Sequence, residues 1–161
     1  MEYNKNSELE FEGDLLNGKR NGKGKEYYDN RKLKFEGEYI NGERNGKGND
    51  YFDNGQLKFG GEYLNGERNG KGKLYYYNGK LNFEGKYLNG KKNGKGKEYY
   101  EHGKLKFEGE YLKDLIWNGK GYDINGNIEF QIKKWKGYIK EYDYKGRIQF
   151  EGELLNGLKN G

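Results

Sequence analysis

Apolar and polar positions alternate along Leu33-Lys34-Phe35-Glu36-Gly37-Glu38-Tyr39. Leu33, Phe35, Gly37 and Tyr39 fall on one face and Lys34, Glu36 and Glu38 on the other, the period of two of a half-buried β-strand. The same face recurs as Leu57/Phe59/Gly61/Tyr63, Leu81/Phe83/Gly85/Tyr87 and Leu105/Phe107/Gly109/Tyr111. The Gly between two aromatic positions leaves room for a ring from the facing or adjacent strand. Two Asn-Gly steps follow, such as Asn41-Gly42 and Asn45-Gly46. Asn-Gly accepts positive φ and signals a hairpin. A return strand such as Gly72-Lys73-Leu74-Tyr75-Tyr76 comes next, then a third turn such as Asp53-Asn54-Gly55 or Tyr77-Asn78-Gly79. No stretch carries a helical apolar period.

The whole phrase repeats. Phe11, Phe35, Phe59, Phe83 and Phe107 are spaced by 24 residues, Phe130 follows after 23 and Phe150 after 20. A fixed period in this range marks an array of supersecondary units. Units start near Leu9, Leu33, Leu57, Leu81, Leu105, Ile128 and Ile148, spanning residues 9–161 behind a polar lead at 1–8. The predicted fold is all-β, an elongated single-layer antiparallel meander of stacked β-hairpins, with about 10 Å added per hairpin. A single layer cannot hide both faces, so part of the aromatic stripe is expected to stay exposed.

Composition qualifies this picture. Leu, Ile, Val and Phe number only 30 of 161 residues, a proportion normally associated with disorder when charge is high. Here 31 basic and 26 acidic residues nearly cancel, and 17 Tyr with 2 Trp supply buriable surface in place of aliphatics. No Cys is present, which excludes disulfides and thiolate sites. The N-terminus lacks the apolar core of a secretory signal, and no apolar run approaches bilayer length. The expectation is an intracellular, cytoplasmic protein, peripheral to a membrane if its basic loops meet lipid.

The pattern F-E-G-E-Y-x-N-G-x-x-N-G-K-G resembles the MORN repeat family, whose units read roughly Y-E-G-E-W-x-N-G-x-x-H-G-x-G. The resemblance implies twisted hairpins in a single elongated sheet, with roles in scaffolding, partner binding and dimerisation; acidic phospholipid binding has been proposed for the family. Two departures stand out: the unit is 24 residues rather than 23, and Asn21, Asn45, Asn69 and Asn93 occupy the His position. The longer unit is also similar to the repeats of bacterial YwqK-like antitoxins, which carry an aromatic where Gly24, Gly48, Gly72 and Gly96 stand here.

Catalytic chemistry has no sequence support. The one histidine, His102, occupies the Asn slot of a turn, and Ser7 lies in the polar lead. Glu36 and Glu38 recur in their units as the outer face of a strand, not as a pair in distinct environments. The loop Gly42–Gly48 has the wrong spacing for a phosphate-binding loop and recurs four times. Asp123-Ile124-Asn125-Gly126-Asn127 reads as a repeat turn rather than a calcium loop. No catalytic residue, metal ligand or cofactor site is assigned.

Two candidate surfaces remain. The first is the aromatic face, Phe35, Tyr39, Phe59, Tyr63, Phe83, Tyr87, Phe107 and Tyr111, with Trp117 and Trp135 in the irregular C-terminal third as a cap or docking patch. The second is a row of cations, Lys19, Arg20, Arg44, Arg68, Lys91 and Lys92, expected along one rim and able to attract anionic lipid headgroups. Nucleic acid is not expected, because the aromatics follow the core period and the net charge is only +5. The segment Leu112–Trp117 reads as a longer, apolar replacement for a turn, and the last unit as half a repeat whose open edge invites pairing with another chain. The expected function is a non-enzymatic scaffold that binds a protein or itself. The alternatives are a lipid-binding module and an antitoxin-like protein that masks a toxin.

Overall fold

The computed structural model describes residues 1–134, 136–142, 147–155 and 158–160. They form one fifteen-stranded antiparallel sheet in which each strand pairs with the next along the chain. In order these are β1 (Glu2–Tyr3), β2 (Leu9–Leu16), β3 (Lys19–Tyr27), β4 (Leu33–Ile40), β5 (Glu43–Tyr51), β6 (Leu57–Leu64), β7 (Glu67–Tyr75) and β8 (Leu81–Leu88). Then come β9 (Lys91–Tyr99), β10 (Leu105–Leu112), β11 (Leu115–Tyr122), β12 (Ile128–Lys133), β13 (Lys136–Tyr142), β14 (Ile148–Leu155) and β15 (Leu158–Asn160). The chain is the single-layer meander of hairpins that the period predicts.

The two Asn-Gly steps of a unit do different jobs. Asn41 and Gly42, at φ 53° and 95°, form the two-residue turn between β4 and β5. Asn45-Gly46 is not a second turn but lies inside β5, where Gly46 takes φ 86°. Gly37 pairs with Gly48 and Tyr39 with Arg44, so Asn45, Gly46 and Lys47 together face Glu38 alone. This bulge absorbs the extra residues of the return strand, which starts at Glu43 rather than past the second Asn-Gly. Successive turns are tied together, Gly42 N–H donating to the Arg20 carbonyl at 2.8 Å and Gly66 N–H to that of Arg44 at 2.9 Å.

Two expectations need correction, and the lead adds a strand. Leu112–Trp117 is not a long apolar turn: Lys113 and Asp114, at φ 52° and 71°, make a two-residue turn, and Leu115, Ile116 and Trp117 already belong to β11. The last unit does not stop before its return strand, because β15 pairs with β14. The polar lead contributes β1, which pairs with β2 and brings Glu2 to Arg20. None of the described residues forms a helix long and apolar enough to cross a membrane.

Candidate functional site

The two faces of the sheet are built differently. On the inner face Phe11, Phe35, Phe59 and Phe83 are wholly buried, and Tyr39, Tyr63, Tyr87, Phe107 and Tyr111 nearly so. Each Phe ring lies over glycines: a Cβ on Gly37 or on its cross-strand partner Gly48 would stand 2.7 Å or 2.4 Å from Cζ of Phe35. The space left by each glycine is filled by the Phe two residues earlier on its own strand or by that of the neighbouring strand. The rings join edge to face in a continuous zigzag, with centroids 5.6 Å apart for Phe35–Tyr39, 5.3 Å for Phe35–Tyr63 and 5.5 Å for Phe59–Tyr63. Such pairs add about 0.5–1.5 kcal/mol each beyond area burial.

Cations roof this core in place of a second sheet. Arg20, Arg44 and Arg68 lie 4.3, 3.9 and 4.3 Å from the ring centroids of Phe11, Phe35 and Phe59, and Lys92 lies 4.5 Å from that of Phe83. Carboxylates hold the roof in register. Arg44 bridges Glu26 at 2.8 Å and Asp50 at 2.7 Å, Arg68 reaches Asp50 at 3.6 Å, and Lys92 pairs with Glu98 at 2.8 Å. The Tyr39 hydroxyl donates to Glu26 at 2.7 Å. Burial alone pushes the Glu26 carboxyl up, but hydrogen bonds from Arg44 and Tyr39 and the charges of Arg44 and Arg20 outweigh it and hold Glu26 below the usual carboxylate range.

The outer face carries a trough. Gly13, Gly24, Gly37, Gly48, Gly61, Gly72, Gly85, Gly96, Gly109 and Gly119 are successive cross-strand partners from β2 to β11. Their side-chain direction is toward the inner face, so the outer face of this row is bare backbone running across ten strands, about 40 Å. Charged residues wall it on both sides. One wall runs Glu12, Lys25, Glu36, Asn49, Gly60, Lys73, Glu84, Lys97, Glu108; the other includes the pairs Lys23–Glu38, Lys47–Glu62, Lys71–Lys86 and Lys95–Glu110. Tyrosines brace the first wall, Tyr51, Tyr99 and Tyr122 donating to Glu36, Glu84 and Glu108 at 2.5, 2.8 and 2.7 Å. Two depressions lie along the trough, about 630 Å³ over β2–β7 and about 860 Å³ over β6–β10.

Beyond the second wall, at the end of each outgoing strand, Leu16, Ile40, Leu64, Leu88 and Leu112 form an interrupted aliphatic stripe, 36–56% exposed, with Lys19, Glu43, Glu67, Lys91 and Leu115 opposite them on the return strands. Strand alternation puts them on the face opposite the buried tyrosines.

This periodic architecture matches a family model for the MORN repeat at residues 11–31, 35–56, 61–80 and 83–104, more than half of the chain. The chain belongs to the MORN repeat family. No curated protein sequence matches it.

Within the MORN array, the candidate residues fall into new groups. The aromatic face expected to stay partly exposed is the buried core, because glycine lets each ring lie flat and a cation covers it. The six cations do not share a rim. Arg20, Arg44, Arg68 and Lys92 are drawn onto inner-face rings, whereas Lys19 and Lys91 are exposed beside the hairpin turns. Trp117 is half-buried on β11, and Trp135 lies outside the described residues. His102 is exposed in its turn and stacks on Tyr100 with centroids 5.2 Å apart. Asp123 accepts the backbone N–H groups of Asn125 and Asn127 at 2.9 and 2.8 Å, as a turn residue does. What sequence reasoning missed is the aliphatic stripe. Its signal is the Ile or Leu between Tyr and Asn-Gly in Tyr39-Ile40-Asn41-Gly42 and at Leu64 and Leu88, with Leu16 and Leu112 in the same place before their turns.

Proposed function

We propose that this MORN array is a non-catalytic interaction module that holds a linear segment of a protein partner along the outer trough. The observation that carries the reading is the exposed aliphatic stripe Leu16, Ile40, Leu64, Leu88 and Leu112 running beside a groove floored by bare glycine backbone. These apolar side chains recur once per hairpin along one rim and offer a partner evenly spaced apolar contacts. An extended segment of about a dozen residues would span the ten strands. The charged walls set its register, and the rim supplies apolar burial. The rigid, roofed core keeps the groove preformed, so little ordering cost falls on the array itself. The inner-face cations are less suited to lipid headgroups, because most of them already cover rings and pair with carboxylates.

The test is selection of linear peptides from a displayed random library on the purified chain, followed by affinity measurement on a Leu64→Ser/Leu88→Ser variant. Both positions are exposed, so the variant keeps the fold. Selected peptides should lose about tenfold or more in affinity, the equivalent of ~1.4 kcal/mol of lost apolar contact. Peptides that bind the variant equally well, or the absence of any selected peptide, overturn the reading.

A further inference from the structure

Apart from the neutral Asn49, the walls of the trough alternate in charge until the third and fourth units. Glu12, Glu36, Glu84 and Glu108 occupy equivalent places in one wall, but the third unit has Gly60 there. In the other wall, the places of Glu38, Glu62 and Glu110 are taken in the fourth unit by Lys86. Both departures remove a carboxylate from the same depression of about 860 Å³. Lys86 is the direct cross-strand partner of Lys71. Its Cδ also overhangs Gly94, 3.5 Å from where a Cβ would stand and next to Lys95 in sequence. Lys73 and Lys97 are neutralised by Glu84 and Glu108 at 3.3 and 3.4 Å. Among the described residues, none of Lys71, Lys86 and Lys95 forms an ion pair: Lys71 and Lys86 face each other, Lys95 stands opposite Glu110 without bridging to it, and all three are exposed. Like charges placed directly opposite across a strand pair destabilise a sheet. The free array carries that repulsion, and a bound anion relieves it.

We propose that Lys71, Lys86 and Lys95 form an acidic-segment site: the trough takes a linear protein segment whose carboxylates seat on these three lysines and whose apolar side chains meet Leu64 and Leu88. The inference rests on the reading of the trough as a docking groove and names the chemistry of what docks. Charge complementarity selects a linear chain over a membrane. The depression also holds Glu84, Glu108 and Glu110, which a uniformly anionic surface would meet as repulsion, whereas a chain with spaced acids passes between them. Binding in this way is steered by charge and weakens with salt.

The experiment measures binding of a fluorescently labelled oligoglutamate peptide by anisotropy, at low and at physiological salt, to the wild-type chain and to Lys86→Glu, Gly60→Glu and Lys80→Glu. Lys86→Glu and Gly60→Glu each restore the residue that other units carry, so both variants fold. Lys80→Glu makes the same charge change as Lys86→Glu in an exposed turn away from the trough. Saturable wild-type binding that falls about tenfold or more in Lys86→Glu, falls in Gly60→Glu and holds within about twofold in Lys80→Glu is the expected result. No saturable binding, or equal losses in Lys80→Glu and Lys86→Glu, overturns the site. Phosphatidylserine vesicles bound in a Lys86-dependent manner, with no binding of the peptide, overturn the protein segment in favour of a membrane. If library peptides depend on Leu64 and Leu88 but are not acid-rich, and oligoglutamate fails, this inference falls while the docking groove stands. If neither class of peptide binds, both fall.

Discussion

Leu74 stands to Tyr87 as Glu26 stands to Tyr39, thirteen residues earlier in the chain and one strand away, and the Tyr87 hydroxyl is buried without a hydrogen-bond partner as a result. Tyr39, Tyr63 and Tyr111 donate to Glu26, Asp50 and Glu98 in the corresponding places. The roof of ion pairs breaks at the same point: Arg68 reaches Asp50 on one side, and Lys92 reaches Glu98 on the other. Leu74→Glu therefore gives Tyr87 an acceptor and joins the two halves of the roof. The expected gain is about 1 kcal/mol, a rise of roughly 3 °C in Tm. A double-mutant cycle checks the cause. Tyr87→Phe should be neutral or stabilising in the wild-type chain and destabilising in the Leu74→Glu background. A Tyr87→Phe effect of one sign and size in both backgrounds would refute the proposed pairing.

Glycines of the row and glycines of the turns fail for different reasons. A Cβ on Gly72 would stand 2.4 Å from Cζ and 2.5 Å from Cε2 of the wholly buried Phe59, so Gly72→Ala must displace a core ring. Its expected cost is about 1–3 kcal/mol, the range of overpacked cores. Gly66 takes φ 81° in its turn with nothing within 4 Å of the Cβ position. Gly66→Ala should cost about 1 kcal/mol, through backbone strain alone. Equilibrium unfolding distinguishes them further in a Phe59→Leu background. That smaller side chain should soften the Gly72→Ala penalty and leave Gly66→Ala unchanged. Equal costs in both backgrounds would place the Phe59 ring elsewhere.

Much of the fold was legible because its determinants are local and repeated. The alternation of Phe35, Gly37 and Tyr39 and the Asn41-Gly42 turn are each written within a few residues, and the period repeats them. What was not legible depends on contacts across strands. The sequence places Arg44 in a loop-like run of charge, and only the bulge at Asn45-Gly46-Lys47 returns it opposite Tyr39 and over Phe35. That one irregularity turns a supposed rim of cations into the cover of the core. It also turns the aromatic stripe from a surface into an interior. The trough was hidden for a related reason. A row of glycines looks like a lack of chemistry in sequence, and its register from Gly13 to Gly119 exists only in the assembled sheet.

Acid should loosen the roof before it loosens the backbone. The folded-state Glu26 and Glu98 carboxyls are held low; burial opposes this, but hydrogen bonds and charge from Arg44 and Tyr39, and from Lys92 and Lys106, prevail. A depressed folded pKa contributes stability that is complete above the unfolded value, about 4.3, and lost as pH falls through the lower folded value. Glu26→Gln should therefore cost about 1–2 kcal/mol near neutral pH, and the gap from wild type should shrink below about pH 4. Urea unfolding at the two ends of that range measures it. A Glu26→Gln penalty independent of pH would deny the carboxylate its role in the roof.

Base acts on the tyrosines with the opposite sign. Burial first, with hydrogen bonds to Glu36 and Glu84 second, pushes the Tyr51 and Tyr99 phenols up to about 12, and burial pushes Tyr87 up to about 12 as well. Burial and neighbouring carboxylates push Tyr39, Tyr63 and Tyr111 up further. A raised folded pKa means that the neutral phenol is what the fold stabilises. Its contribution is complete below the unfolded value of about 10 and is lost as pH rises through the folded values. Above about pH 10 the buried phenols of Tyr39, Tyr63, Tyr87 and Tyr111 should ionise only as the sheet opens, so the phenolate absorbance beyond that of exposed rings such as Tyr3 and Tyr77 should rise together with loss of β-sheet circular dichroism. Tyr39→Phe removes one such group at little packing cost and should make the alkaline loss of stability less steep. Complete phenolate formation with the circular dichroism intact would show that the rings ionise in place, and the buried zigzag of Phe and Tyr would have to be abandoned.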